Sequence, residues 1–201
     1  MIIVVEGVSA AGKSRWASRF GAATVDENAG PAPKSEDPAI LSRYWSDRNS
    51  ERWKRGLQLE CVHEVVCFDT DPLKIHYSWC LWQIGEGSRE AWVMNVKAAR
   101  ERITVRELGF ADQIYFLNPS EEVIRQQKAN DRTRERRNFE THLNLYDSLR
   151  RWYELLECLC PGKVIFNAHQ INETMPTLPS PDRYNLQLFD DLVQAAGRTA
   201  G

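Results

Sequence analysis

The sequence predicts an α/β fold in three layers, with helices on both faces of a five-stranded parallel sheet. Five short apolar runs rich in β-branched residues have the length and composition of buried strands, and segments of helical periodicity separate them. Because parallel strands need long crossover connections, this alternation favours a parallel sheet that is covered on both faces. The predicted strands are 2–6, 22–26, 63–69, 113–117 and 163–167.

The clearest helix is predicted over residues 139–159, where apolar residues recur every three or four positions and form one stripe. Pro161 and Gly162 follow it and predict its end before the last strand. A final helix is predicted near 186–196. The proline-rich segments 28–38 and 172–181 are predicted to be loops.

The composition predicts one globular domain over residues 1–201, since 42% hydrophobic and 27% charged residues are ordinary values for such a domain. A formal net charge of −2 does not favour a nucleic-acid partner. No apolar run has the length of a membrane span, so no membrane partner is expected. The first apolar run lacks a preceding basic segment and the five cysteines are an odd number, which together predict a cytoplasmic location with reduced thiols.

Residues 7–14 match the pattern G-x-x-x-x-G-K-[ST] of a phosphate-binding loop, or P-loop, at every fixed position. Glycines let the backbone curl so that successive N–H groups face phosphate oxygens. A chance match is the alternative, but a predicted strand precedes the motif and a helix-forming segment follows it. The residues expected to bind nucleotide here are Gly7, Ser9, Ala10, Ala11, Gly12, Lys13 and Ser14.

The chemistry of this loop implies ATP and Mg²⁺ as the bound groups. Lys13 would bring a positive charge to the β- and γ-phosphates, and the hydroxyl of Ser14 would bind Mg²⁺. The helix predicted to begin near Lys13 would add the positive end of its dipole. The sequence contains neither the Asn-Lys-x-Asp motif for guanine nor a GTPase switch motif after the third strand, which disfavours a GTPase.

Asp69 and Asp71 follow the third predicted strand, and ligands of open parallel sheets bind at the carboxyl ends of the strands. Asp69 is therefore expected to help bind Mg²⁺ or to accept the proton of an attacking hydroxyl. Asp71 is a candidate for binding substrate. The alternative is that both aspartates form a turn and cap the next helix.

Four arginines lie within residues 132–137, between the fourth strand and the long helix. Arginine forks bind phosphate and stabilise charge during phosphoryl transfer, so an arginine-rich lid is predicted over about 128–140. Arg132 and Arg136 are the catalytic candidates, and Arg134 is a nucleotide-binding candidate. A solvated helix face is the alternative, and a nucleic-acid patch is a weaker one.

Taken together, the P-loop, the strand end at 69–71 and the arginine-rich segment resemble the P-loop small-molecule kinases. These include nucleoside monophosphate kinases, deoxynucleoside kinases and nicotinamide riboside kinases. The run 68–71 is most similar to the nicotinamide riboside kinase type, whereas the Glu-Arg-Ser motif of deoxynucleoside kinases is absent there. The resemblance implies the P-loop NTPase fold, ATP·Mg²⁺ as phosphate donor and a lid.

A second resemblance concerns the acceptor side. In deoxynucleoside kinases an acidic residue after the second strand and a glutamine on a later helix hold the nucleoside. This sequence is similar to that pattern at Asp26 and Glu27 and then at Arg52, Trp53 and Gln58. Glu27 and Gln58 are therefore substrate-binding candidates. The same region is rich in aromatic residues that could stack on a flat ligand, although core packing is the favoured explanation for most of them.

These observations predict an ATP-dependent phosphotransferase acting on a small-molecule acceptor, with a nucleoside or nucleotide favoured. A kinase for a non-nucleotide metabolite or antibiotic is one alternative. A non-catalytic ATP-binding regulator is another. A homodimer is an open expectation that the sequence does not decide.

Overall fold

The computed structural model describes residues 1–18, 23–27, 33–131, 138–168 and 182–199, and it confirms the α/β class. Five strands form a single parallel sheet in the order β2-β3-β1-β4-β5. The strands are β1 (Ile2–Glu6), β2 (Ala23–Val25), β3 (Val66–Asp69), β4 (Gln113–Phe116) and β5 (Val164–Ile165). The helices are α1 (Lys13–Ala17), α2 (Pro38–Glu60), α3 (Ile75–Gln83), α4 (Arg89–Thr104), α5 (Glu121–Asn130), α6 (Phe139–Asn144), α7 (Tyr146–Leu159) and α8 (Leu186–Arg198).

The central strand β1 is buried along its whole length, as expected for a strand with neighbours on both sides and helices on both faces. Val5 of β1 is opposite Asp69 of β3 and opposite Tyr115 of β4. The parallel register therefore brings the end of β3 beside the loop that follows β1. This edge of the sheet is where the predicted site residues converge.

β1 has the predicted bounds, whereas the other four strands are shorter than predicted. β3 begins at Val66, which pairs with Ile2, the first residue of β1. β5 is limited to the two residues that pair with Ile114 and Tyr115 of β4.

The helix predicted over 139–159 is divided into α6 and α7. The interruption is the single residue Leu145, which keeps near-helical dihedral angles (φ −74°, ψ −10°) and is buried. Phe139, Trp152 and Leu156 therefore still face the core as one stripe. The last helix agrees with the prediction. The predicted loop 172–181 and residues 28–32 lie outside the described part of the chain.

Helix α2 packs directly on Phe68 of the sheet at Gly56, which has no side chain. A Cβ at this position would lie 2.3 Å from the ring of Phe68 on β3. Trp53, one turn earlier on α2, is completely buried and its ring packs against the same phenylalanine at a centroid distance of 5.9 Å. The contact sets the distance between α2 and the sheet.

An ion cluster occupies the opposite, amino-terminal edge of the sheet. Arg183, just before α8, donates from Nε to Asp112 Oδ1 at 2.7 Å and from Nη1 to Glu60 Oε2 at 2.7 Å. Asp112 also accepts the backbone N–H of Ile2 at 2.7 Å. The cluster therefore ties α8 and the end of α2 to the start of β1.

None of the helices in the described ranges combines the length and the apolar character that a bilayer span requires.

Candidate nucleotide-binding and active site

The P-loop joins the end of β1 to the start of α1 in a conformation that its small residues permit. Gly7 has φ +146° and Gly12 has φ +91°, values that residues with a Cβ rarely adopt. At Gly7 the space is also closed, because an added Cβ would lie 2.6 Å from the carbonyl oxygen of Leu117. Ala10 takes the left-handed conformation as well, with φ +67°. The loop therefore has the curled backbone that the motif predicts.

Lys13 folds back over the loop that precedes it. Its Nζ donates to Gly7 O at 2.8 Å and to Val8 O at 3.4 Å. These carbonyls hold the ammonium group at the mouth of the loop, next to the N–H groups at the start of α1. The position suits an exchange of these carbonyl partners for phosphate oxygens.

Ser14 and Asp69 meet across the gap between α1 and β3. Ser14 Oγ donates to Asp69 Oδ2 at 3.2 Å, while Asp69 Oδ1 is buried and has no hydrogen-bond partner in the described ranges. A hydroxyl and a carboxylate with a free oxygen are the hard oxygen ligands that Mg²⁺ uses together with phosphates and water. The residues present therefore fit the predicted metal.

Glu6, the last residue of β1, ties the P-loop to the segment after β3. Its carboxylate accepts the N–H of Gly7 at 3.0 Å and the N–H of Asp71 at 2.9 Å. His76 Nε2 lies 3.4 Å from the same carboxylate, and all of these groups are buried. Burial, with a smaller effect from Lys74, lowers the pKa of His76 to about 3, so this imidazole is neutral at physiological pH.

Asp71 points beneath the loop and not into the cavity. Its Oδ1 accepts the N–H of Leu73 at 2.9 Å, and the hydroxyl of Tyr153 lies 3.4 Å from Oδ2. Burial raises the pKa of this carboxyl to about 7, and the hydrogen bond from Leu73 offsets only part of that effect. Its surroundings are those of a buried structural group, in line with the turn alternative and not with contact to substrate.

Arg52 of α2 joins the ends of two strands. Its Nε donates to Asp26 O at 3.1 Å and its Nη2 donates to Thr70 O at 3.1 Å, whereas the buried Nη1 has no partner in the described part of the chain. Burial lowers the pKa of the guanidinium, and nearby carboxylates, Glu27 first among them, counteract this effect. Arginine remains charged under such conditions, so one charged donor is available to a ligand.

Glu27, just after β2, forms an ion pair with Lys74 and accepts from Thr70 Oγ1 at 3.3 Å. Burial raises the pKa of Glu27, but the charge and hydrogen bond of Lys74 outweigh it and the net result is a pKa of about 2. Glu27 is therefore ionised at all physiological pH values.

One cavity of about 1200 Å³ is lined by the P-loop, including Lys13 and Ser14, and by Asp69 and Glu27. It continues along the buried face of α2 past Arg52, Asn49 and Ser46 toward α4. The volume exceeds the 300–1,000 Å³ typical of a pocket for one small ligand, so there is room for two ligands end to end.

The structure brings most of the predicted site residues to this cavity. Gly7, Ser9, Ala10, Ala11, Gly12, Lys13, Ser14, Glu27 and Asp69 all line it. Gln58 does not line it and is exposed, because six residues along α2 from Arg52 turn its side chain about 240° around the helix. Arg132, Arg134 and Arg136 lie outside the described residues, although Asp131, which precedes them, lines the cavity.

Sequence reasoning missed two features of the site. Glu6 was detectable as an acidic residue that ends an otherwise apolar strand directly before the P-loop. The polar face of α2, which includes Ser46 and Asn49, was detectable from its spacing of three and four residues, but a solvated helix face has the same pattern.

Comparison with known proteins identifies the fold. No family model matches the sequence, and no curated protein does. Among solved structures, a deoxyadenosine kinase from M. mycoides with the products dCMP and a flexible dCDP bound is similar, with a TM-score of 0.61 and 14% sequence identity. The alignment covers 99% of this chain and 100% of the kinase. The chain has the fold of this kinase.

Two further structures agree. The same kinase with dATP bound gives a TM-score of 0.58 at 14% identity and covers 86% of this chain and 93% of its own. Thymidylate kinase from Candida albicans gives 0.53 at 14% identity and covers 82% of this chain and 81% of its own. At this level of identity the likeness concerns the fold, which matches the three-layer P-loop architecture predicted from the sequence.

Proposed function

We propose that the protein is an ATP-dependent phosphotransferase that moves the γ-phosphoryl group of ATP to a small-molecule acceptor, a nucleoside or nucleotide. The observation that carries this proposal is the contact of Ser14 with Asp69 at 3.2 Å beside the P-loop lysine. Both residues line the cavity that also contains the P-loop and the polar face of α2. A donor and an acceptor would meet at this point.

The donor side rests on residues of the P-loop. Its N–H groups and Lys13 would bind the phosphates, while Ser14 and Asp69 would hold Mg²⁺. The metal, when bound, neutralises the charge that develops on the phosphates. Arg132 and Arg136 are proposed to stabilise the transferred group from a lid, and Arg134 to bind the nucleotide.

The reaction exchanges one phosphorus–oxygen bond for another. The acceptor hydroxyl forms a bond to the γ-phosphorus, the bond from that phosphorus to the β,γ-bridging oxygen breaks, and ADP leaves. For an alcohol acceptor, the hydroxyl proton passes to a carboxylate. Asp69 suits this role because one of its oxygens is buried and has no hydrogen-bond partner among the described residues, whereas the low pKa of Glu27 makes it a weak base.

The test is the release of ADP from ATP and Mg²⁺ in the presence of a panel of nucleosides, nucleoside monophosphates, polyols and aminoglycosides. We expect at least one base-containing acceptor to accelerate ADP release and to appear as a phosphorylated product by mass spectrometry. Transfer only to polyols or antibiotics would favour a kinase for another metabolite. ATP binding without transfer to any acceptor would overturn the proposal in favour of a regulator.

The cytoplasmic location and the homodimer expected from the sequence stay predictions.

A further inference from the structure

Lys74, the residue directly before helix α3, is one that the ordinary rules of helix formation disfavour at this position. It has φ +53°, a left-handed value that residues with a Cβ rarely adopt. Its charge opposes the helix dipole, and it has no oxygen to cap the N–H groups of the first turn, as a Ser, Thr, Asp or Asn would. Residues that break several local rules at once are typical of functional sites.

The ammonium group of Lys74 is held at the wall of the cavity. It forms an ion pair with Glu27 and lies 5.2 Å from the centre of the Tyr77 ring, whose face attracts cations. All three residues line the cavity. An ammonium group has three N–H donors, and the contact with Glu27 uses one of them. Lys74 can therefore donate to a ligand without leaving its ion pair.

Lys74 is connected to the reaction centre from the side away from the P-loop. Asp69 contacts Ser14 on the donor side. The next residue, Thr70, donates from Oγ1 to Glu27 at 3.3 Å, and Glu27 pairs with Lys74. Lys74 is thus held by the segments that follow β2 and β3, and not by the donor loop. An anion that it binds would belong to the acceptor.

A second cation near Glu27 points to the same kind of ligand. Burial raises the pKa of Glu27, but nearby cations and a hydrogen bond outweigh this effect. The cations are Lys74, Lys13 and Arg52. Donor phosphates would occupy Lys13, which leaves Lys74 and Arg52 for the acceptor. Arg52 is 7% exposed, and its buried Nη1 has no partner within the described ranges. A buried charged donor pairs best with an anion.

We infer that Lys74 is a catalytic residue that binds the phosphate of the acceptor, and that the acceptor is a nucleoside monophosphate and not a nucleoside. Arg52 Nη1 would donate to the same phosphate. This inference rests on the proposed function and chooses between the two acceptor classes that it leaves open.

A phosphate acceptor also changes what the site must do. The attacking oxygen of an ionised phosphate carries no proton, so no base is needed. This oxygen forms a bond to the γ-phosphorus, the bond from that phosphorus to the β,γ-bridging oxygen breaks, and ADP and a nucleoside diphosphate leave. Two phosphates that approach each other repel, and cations placed beside them offset the repulsion. Glu27, whose low pKa makes it a weak base, then serves to hold Lys74 in place.

The experiment compares each nucleoside with its own 5′-monophosphate. Lys74→Met keeps the length of the side chain and removes its charge, Lys74→Arg keeps the charge, and Lys54→Met is the matched change on the exposed face of α2. For each variant, kcat/KM is measured with ATP, Mg²⁺ and the nucleosides and monophosphates of adenine, guanine, cytosine, thymine and uracil. We expect the unmodified protein to favour a monophosphate over its nucleoside by about tenfold or more. Lys74→Met should lower kcat/KM for that monophosphate by about tenfold to hundredfold, with an unchanged Kd for ATP.

The outcomes separate the inference from the proposed function. The expected loss in Lys74→Met, with little loss in Lys74→Arg or Lys54→Met, supports the inference. If Lys74→Met does not fold, Lys74→Gln is measured in its place. A preference of the unmodified protein for the nucleoside overturns the inference while phosphoryl transfer stands. So does a Lys74→Met variant that is as active on the monophosphate as Lys54→Met. Failure of the unmodified protein with every acceptor overturns the proposed function itself.

Discussion

Ser14 Oγ lies 3.2 Å from Asp69 Oδ2, so a hydroxyl from the first turn of α1 meets a carboxylate from the end of β3. The residues are 55 positions apart in sequence, and the parallel pairing of β1 with β3 brings them together. Because the second oxygen of Asp69 has no described partner, the pair can accept a further group.

Asp69→Asn should reduce turnover far more than it reduces ATP binding. The amide keeps the size of the side chain but is a poor metal ligand and a poor base. We expect kcat to fall by about 10² to 10⁴ while the Kd for ATP without Mg²⁺ changes little. Steady-state kinetics and calorimetric titration provide the two values. An unchanged kcat would contradict this prediction and indicate that Asp69 only forms the turn after β3.

Lys13→Ala should strongly reduce turnover, because the ammonium group contributes most where charge develops on the transferred phosphate. A loss of about 10² to 10³ in kcat is expected. Lys54→Ala, on the exposed face of α2, is the matched control for loss of one lysine. A kcat of Lys13→Ala as high as that of Lys54→Ala would show that residues 7–14 do not act as a P-loop.

Asp71→Asn should alter the pH dependence of stability. The pKa of Asp71 rises from 3.8 to about 7 on folding, first because of burial, so the folded chain holds a proton in this window that the unfolded chain releases. The free energy of unfolding therefore decreases as the pH rises from about 4 to about 7. We expect the free energy of unfolding of Asp71→Asn, measured with urea, to lack this decrease. Between pH 4 and pH 8 it should therefore rise relative to that of the parent chain by roughly a few kcal/mol. Parallel curves would contradict the prediction.

His76→Gln should have its effect at lower pH and with the opposite sign. Burial lowers the pKa of His76 from 6.5 to about 3, so below pH 6.5 the unfolded chain takes up a proton that the folded chain does not. The free energy of unfolding therefore decreases as the pH falls from 6.5 toward 3. Urea unfolding should show that the free energy of unfolding of His76→Gln does not decrease in this way at low pH. His63→Gln, at an exposed histidine, should not reproduce the change.

Gly56→Ala should destabilise the fold, whereas Gly197→Ala should not. A methyl group at Gly56 would lie 2.3 Å from the Phe68 ring, and such overpacking costs about 1–3 kcal/mol. At Gly197 of α8 the nearest atom is in Trp92 at 3.6 Å, so alanine adds helix propensity of up to about 1 kcal/mol. Thermal unfolding of both variants measures the contrast, and equal melting temperatures would refute it.

Features of the site that depend on the spacing of residues along the chain were predicted well from the sequence. The P-loop follows from fixed positions of Gly7, Gly12 and Lys13, and Asp69 follows from its place at a strand end; the structure brings all of them to one cavity. The parallel sheet was also predictable, because alternation of strand and helix supplies the long crossover connections that parallel strands need. The strand order was not predicted.

The direction in which each side chain of a helix points was not predictable in the same way, because it depends on the rotation of the helix about its axis. Gln58 and Asn49 are both amides on α2, and only their angular positions decide that Asn49 faces the cavity while Gln58 faces solvent. That rotation is set by tertiary contacts, above all the packing of Gly56 on Phe68. Likewise, the burial of Asp71 depends on Glu6 and Tyr153, which are distant in sequence.

The ion cluster around Arg183 has a practical consequence. It lies at the amino-terminal edge of the sheet, and the five residues of β1 separate that edge from the P-loop by about 17 Å at 3.3–3.4 Å per residue. A label or a tether could therefore be attached near Arg183 without entering the cavity of the candidate site. The protein could be immobilised through this edge of the sheet with the candidate site left accessible.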